Sequence, residues 1–283
     1  MKRLLAGVSA STVGVVLIFV APSFGAVTCH NSPGQHLLSV TATDSFTKLV
    51  RTGTAIQVGD GHQVIDCSGP PTSVSDLDGI EVTHTGRSAD VVDLHGGPFA
   101  PGFTAEPQGL PEIEIQYIGP TFLDVRGSAG PDHLTLGAGG VNLNGDDDVD
   151  VTGTFTTILV EGGGGNDFLG PQSGYATAAP RRVLLGGAGR DTLRATPDGS
   201  VLHGGNGRDR LIGGRSADNL TGGRGRDLIR GGKGRDLIRA IDGRTDRVNC
   251  GGGRDRAKVD GIDRVRGCER LIRVKRRGPV KSR

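Results

Sequence analysis

Residues 204–239 read GGNGRDRLI, GGRSADNLT, GGRGRDLIR, GGKGRDLIR, four nonapeptides laid end to end. Each opens on Gly-Gly, carries Asp at position six (Asp209, Asp218, Asp227, Asp236) and an aliphatic residue at position eight (Leu211, Leu220, Ile229, Ile238). Paired glycines permit positive φ and close backbone approach, so positions one to six can curl into a tight turn. Positions seven to nine suit a short strand whose central aliphatic points inward while its neighbours point out. Glycine-rich linkers do not place their aliphatics so strictly.

By these residues the chain resembles the hemolysin-type, or repeats-in-toxin (RTX), calcium-binding proteins. The resemblance implies an all-β parallel β-roll, a β-solenoid with Gly-rich calcium-binding turns, in which two turns and two strands complete an eighteen-residue coil. Residues eighteen apart would stack about 4.8 Å from each other, Asp209 beside Asp227 on one edge and Asp218 beside Asp236 on the other. Carboxylates at that spacing repel. A hard divalent cation in an all-oxygen shell removes the repulsion, and calcium tolerates irregular geometry better than magnesium. The resemblance further implies side-chain ligands from Asp191, Asp209, Asp218, Asp227 and Asp236, helped by turn carbonyls around Gly186, Gly204, Gly207, Gly222, Gly225, Gly231 and Gly234. Ions would lie between 191 and 209, 209 and 227, and 218 and 236, and folding would be coupled to calcium. Turns that bind no metal are the alternative.

The register continues beyond the four copies. GGAGRDTLR at 186–194 lies eighteen residues before 204–212, and the intervening ATPDGSVLH keeps Leu202 at position eight but has Ser200 at position six, a coil without its ligand. Downstream, one inserted residue shifts the frame, after which Asp246 with Val248 and Asp255 with Ala257 occupy positions six and eight. Upstream, GGGGNDFLG at 162–170 supplies Asp167, so Asp167, Asp246 and Asp255 are weaker candidate ligands. GSAGPDHLT at 127–135, GDDDV at 145–149 and GRSAD at 86–90 are fainter relatives, in which Asp132, Asp147 and Asp90 read as turn formers.

Fifty glycines, no Trp and few aromatics suit a thin ladder of aliphatics rather than a large layered core. Segments such as HLLSVTAT, IEIQYIG and FTTILVEG carry apolar residues at strand spacing, so residues 26–160 form a β-rich N-terminal region. A continuous solenoid and a separate small sandwich both fit it, and the faint repeats favour the solenoid. The roll itself spans 161–271 and a basic tail 272–283, while GGPFAPGFTAEPQGLP at 96–111 reads as a loop or lid.

Residues 1–25 combine Lys2 and Arg3, an apolar stretch and small residues near Ser23 and Gly25, the pattern of a secretory signal peptide. The expected location is extracellular, with no other segment able to span a bilayer as a helix. Four cysteines agree with export. Cys250 and Cys268 are eighteen residues apart, one coil of the expected roll, which pairs them and leaves Cys29 for Cys67. Without CxxC or a Cys/His cluster, zinc is a poor reading.

Charge is divided unevenly. Residues 27–200 carry 8 Lys and Arg against 21 Asp and Glu, whereas residues 201–283 carry 23 against 10. Much of the excess is Arg at positions five and nine (Arg208, Arg226, Arg230, Arg235, Arg239). Arginine at position five departs from the family pattern, in which small or polar residues are frequent, and a nearby cation weakens calcium binding unless it points outward. Such a basic surface suits anionic cell-envelope polymers or polysaccharide; without aromatic interleaving, nucleic acid is a poor partner. Its alternative is a solvated face that offsets the array's carboxylates.

No H-E-x-x-H or G-x-S-x-G is present. His62 with Asp60 and Asp66, and His84 and His95 with Asp93, read as isolated surface groups rather than catalytic pairs. The expectation is a secreted calcium-binding β-roll with no enzyme activity of its own. Two other readings stay open: an envelope-associated adhesion or structural protein using the basic face, and an extracellular glycan hydrolase with a carboxylate pair on one face of the N-terminal half.

Overall fold

The computed structural model describes residues 27–32, 37–43, 46–52, 55–60, 64–65, 79–85, 88–93, 114–137, 140–143, 150–172 and 181–274. Among them every regular element is a strand, 23 in number, and all belong to one hydrogen-bonded network.

In the array, a tight turn every nine residues leaves room for a short strand between turns, and each strand pairs in parallel with the next but one. Val201–Gly207 pairs with Asn219–Gly225 so that Leu202 faces Leu220, and Arg210–Ile212 pairs with Leu228–Gly234 so that Leu211 faces Ile229. The eighteen-residue coil is therefore the stacking unit. Two parallel sheets face each other across a single layer of aliphatics: Leu184, Leu202, Leu220 and Ile238 on one side, Leu193, Leu211 and Ile229 on the other, all fully buried. Burying a Leu or Ile stabilises by about 1.5–3 kcal/mol, so this thin layer is the roll's apolar contribution.

The same stacks run back into the N-terminal half, which makes the two regions one solenoid. The strand Val151–Gly165 pairs in parallel with Arg181–Gly189 on one side and Glu114–Arg126 on the other. Glu114–Arg126 then pairs with both Gly79–Thr85 and Ser88–Asp93, and these pair with Leu37–Thr43 and Phe46–Thr52. Antiparallel partners, Val27–Ser32 and Ala55–Gly59, close that end. Coil length falls along the chain. Leu37 lies opposite Gly79, 42 residues on, and Ile115 opposite Val151, 36 on. Thr157 lies opposite Arg181, 24 on, and Val183 opposite Val201, 18 on. The long coils enclose a wider interior that takes aromatic rings: Tyr117 and Phe155 are buried edge to face with centroids 6.0 Å apart.

Cys250 and Cys268 form a disulfide with Cα atoms 5.1 Å apart, joining neighbouring coils at the C-terminal end. Cys29 is disulfide-bonded; Cys67, its expected partner, lies outside the described residues. So do the expected signal peptide 1–25, the loop 96–111, Asp147, His62, Asp66 and His95. The final strand, Arg270–Val274, runs past the expected roll boundary at 271, because its residues pair with Arg256–Asp260. No helix among the described residues is long and apolar enough to cross a membrane.

Three residues differ from their sequence reading, and the first is Asp93, expected at the surface but buried and paired with Lys48 at 2.7 Å. Asp90 is no turn former: it lies inside the strand Ser88–Asp93, faces the interior and is fully buried. His84 is not a surface group but is buried beside it, its Nε2 2.9 Å from Asp90 Oδ2. Residues 88–90 of the faint repeat already lie in a strand, so its Asp turns inward and takes a polar partner.

Candidate functional site

Strands run on through the first four positions of most repeats (Val201–Gly207, Asn219–Gly225, Leu228–Gly234), where positive-φ glycines let the backbone stay paired. The turn is therefore shorter than the six residues expected and centres on positions five and six, with the position-six carboxyl set into the interior. Down one edge the backbone N–H of Asp191 donates to Oδ1 of Asp209 (2.9 Å), that of Asp209 to Asp227 (3.0 Å) and that of Asp227 to Asp246 (2.8 Å). Down the other, Asp218 donates to Asp236 and Asp236 to Asp255, both at 2.9 Å. Each carboxylate thus holds the turn of the preceding coil through one oxygen.

The other oxygen has no partner. Oδ2 of Asp167, Asp191, Asp209, Asp227, Asp236, Asp246 and Asp255 is buried without a hydrogen bond, in residues that are at most 2 % exposed. An unsatisfied buried acceptor costs about 1–3 kcal/mol, more when charged, and seven of them repeat with the coil. Asp218 is the exception among the candidates, since its Oδ2 accepts the N–H of Gly214 at 2.6 Å. The first glycine of each repeat lies against this orphan oxygen: a Cβ on Gly204 would collide with Asp209 Oδ2 and with the carbonyl oxygen of Gly222. Gly186, Gly222 and Gly231 occupy the same place over Asp191, Asp227 and Asp236. Gly207, with φ of 142°, packs so closely on Gly189 that no side chain fits, and Gly225 and Gly234 are its equivalents.

Electrostatics follow from burial. Loss of solvation, opposed by the backbone N–H and reinforced by neighbouring carboxylates, pushes Asp209 and Asp246 up to about 7 and Asp167 and Asp236 to about 6. Burial also raises Asp191, Asp218, Asp227 and Asp263. Stacked buried carboxyls with one free oxygen each can take a proton or a hard cation. Among the described residues no three His, Cys, Asp or Glu side chains converge on one point, so a cation here would take at most two carboxylates and complete its shell from carbonyls and water. That donor set is all oxygen and fits calcium.

The columns outrun the sequence assignment at both ends. Asp132 donates its N–H to Asp167 Oδ1 at 2.9 Å, while its own carboxylate accepts from Ser128 within its turn. At the other end Asp263 accepts from Asp246, and Glu269 from Asp255. Asp263 and Glu269 were hidden because their coils have 17 and 14 residues, which breaks the nine-residue phase. Ser200, at position six without a carboxyl, accepts the N–H of Thr196 and donates its own N–H to Asp218.

The position-five arginines Arg208, Arg226 and Arg235 are exposed, and among the described residues no array arginine forms an ion pair with an array carboxylate. The cation that departs from the family pattern therefore stands outside the column. In the N-terminal half Asp93 pairs with Lys48 at 2.7 Å and Asp124 with Arg126 at 2.8 Å, contacts that hold both carboxylates as ion-pair partners.

A family model described as the RTX calcium-binding nonapeptide repeat, in four copies, matches residues 185–220 and 203–238. No curated protein and no solved structure matches the chain.

Proposed function

We propose that this chain, whose residues 185–238 are hemolysin-type RTX calcium-binding nonapeptide repeats, is a secreted protein whose roll folds around calcium and which has no catalytic activity of its own. The observation that carries the reading is the row of buried, unpartnered Oδ2 atoms. Asp191, Asp209, Asp227 and Asp236 would give those oxygens, and Asp218 would join them by releasing Gly214, with turn carbonyls completing each shell. Asp167, Asp246 and Asp255 have the same orphan oxygen and extend the reading beyond the matched repeats. Bound calcium would supply charge neutralisation across the stacked carboxylates; the chain supplies the spacing, the dry environment and the glycine turns.

Export supports the reading from the biological side, because extracellular calcium is abundant enough to fill weak sites. The signal-like residues 1–25 and the disulfide Cys250–Cys268 both suit that compartment. The absence of catalysis is supported by the lack of a hydrolase motif and by the ion pairs that occupy Asp93 and Asp124. Circular dichroism of the full chain during a calcium titration tests the coupling. Gain of β signal on calcium and its loss with EDTA are expected; the same β signal in both would sink the proposal.

A further inference from the structure

The strand register that stacks the carboxylates also stacks arginines, on the outer surface of one sheet. Arg210, Leu228, Arg247 and Arg264 form one outward column, and Ile212, Arg230, Asn249 and Arg266 the next. Neighbours in a column are about 4.8 Å apart. Two adjoining clefts open on this face, of about 370 Å³ and 640 Å³, and both are lined by Arg247 and Arg264. Arg208 and Arg226 add to the smaller cleft, Arg230 and Arg266 to the larger. Among the described residues none of these six makes an ion pair with a carboxylate, and all are exposed.

Such a row of like charges raises the potential of the cleft and attracts counter-charge of matching shape. The matching shape is linear, because the cations recur along the roll axis with the coil. No aromatic side chain lines either cleft, so bases would find no stacking platform, which favours a glycan over a nucleic acid. Asp227 and Asp263, which also line the clefts, belong to the buried column.

We infer that this arginine face binds a linear acidic polysaccharide, whose carboxylates or sulfates bridge Arg247 and Arg264 across neighbouring coils. The inference rests on the calcium reading only in requiring a folded roll. The disulfide Cys250–Cys268 ties the strand that carries Arg247 to the segment just past the strand that carries Arg264.

Fluorescence anisotropy of labelled heparin fragments, with the full chain in calcium buffer, tests it. The R247Q/R264Q double variant is expected to bind about tenfold more weakly, a loss that corresponds to about 1.4 kcal/mol. R256Q/R270Q, which removes two exposed arginines paired across the opposite sheet, changes the charge equally and should leave affinity within about twofold. Equal weakening by both pairs would overturn the inference, as would wild-type binding no tighter than to dextran, or tighter binding to a single-stranded oligonucleotide of equal charge. Circular dichroism of the same samples with EDTA reads the calcium coupling separately, so failure of that coupling and failure of the arginine comparison are distinguishable.

Discussion

The two halves of this solenoid share one sheet network but are stabilised in opposite ways. Before residue 165 the coils are long, the interior holds Tyr117 and Phe155, and the acidic groups Asp93 and Asp124 meet cations. After residue 181 the coils shrink to eighteen residues, the interior narrows to one aliphatic per strand, and the acidic groups stack on each other with an oxygen unpaired. The difference teaches that a short coil gives up apolar volume for a regular column of buried carboxylates. In the N-terminal half Asp93 and Asp124 have cationic partners, whereas seven roll carboxyls keep an oxygen with no protein partner.

The most damaging change should be Gly207→Ala. Its positive φ and its contact with Gly189 leave no room for a Cβ. Strain and overpacking together should cost about 3–5 kcal/mol in the roll's denaturation transition in calcium. Gly252→Ala, at a glycine with open space around its Cβ position, is the control and should change little.

Replacing Cys250 and Cys268 together by Ser should cost about 3 kcal/mol, since the loop they close is eighteen residues long. The loss should appear in the roll transition and leave an N-terminal transition in place; a uniform loss would erase the contrast between halves.

Acidity sharpens the comparison further. In EDTA, the carboxyls raised to about 6 or 7 hold protons in the folded roll that the unfolded chain, with ordinary values near 3.8, has released. Their stabilisation is therefore complete below about pH 4 and is lost as pH rises to about 7, by up to about 1.4 kcal/mol per pH unit for each group. Calcium should invert the slope, because it needs the ionised form. The roll's β signal between pH 4 and 8, in EDTA and in calcium, gives both signs.

The smallest effect is the most discriminating. Asp227→Asn removes a buried charge with an orphan oxygen and should shift the folding equilibrium in EDTA toward the roll by about 1 kcal/mol, read as more β signal than wild type retains, while weakening calcium binding. Asp93→Asn, which breaks the pair with Lys48, should destabilise the N-terminal half by about as much and leave calcium affinity unchanged. Equal signs in the two halves would contradict the distinction.

Much of the roll was legible in the sequence because its period is rigid. Eighteen-residue spacing correctly stacks Asp209 on Asp227, Leu211 on Ile229 and Cys250 near Cys268. What the pattern could not convey was the division of labour within each carboxyl, one oxygen holding a backbone N–H and the other left over. It also hid Asp263 and Glu269, whose short coils fall out of phase, and the burial of His84 with Asp90, because long coils have no fixed period. Periodicity reports stacking only where coil length is constant.

Hydrogen exchange of the full chain in calcium and in EDTA tests the central claim most directly. Amides of residues 186–260 should be strongly protected in calcium and exchange freely in EDTA, while those of 114–160 keep their protection in both. Protection of 186–260 that is indifferent to calcium would contradict a roll completed by the ion.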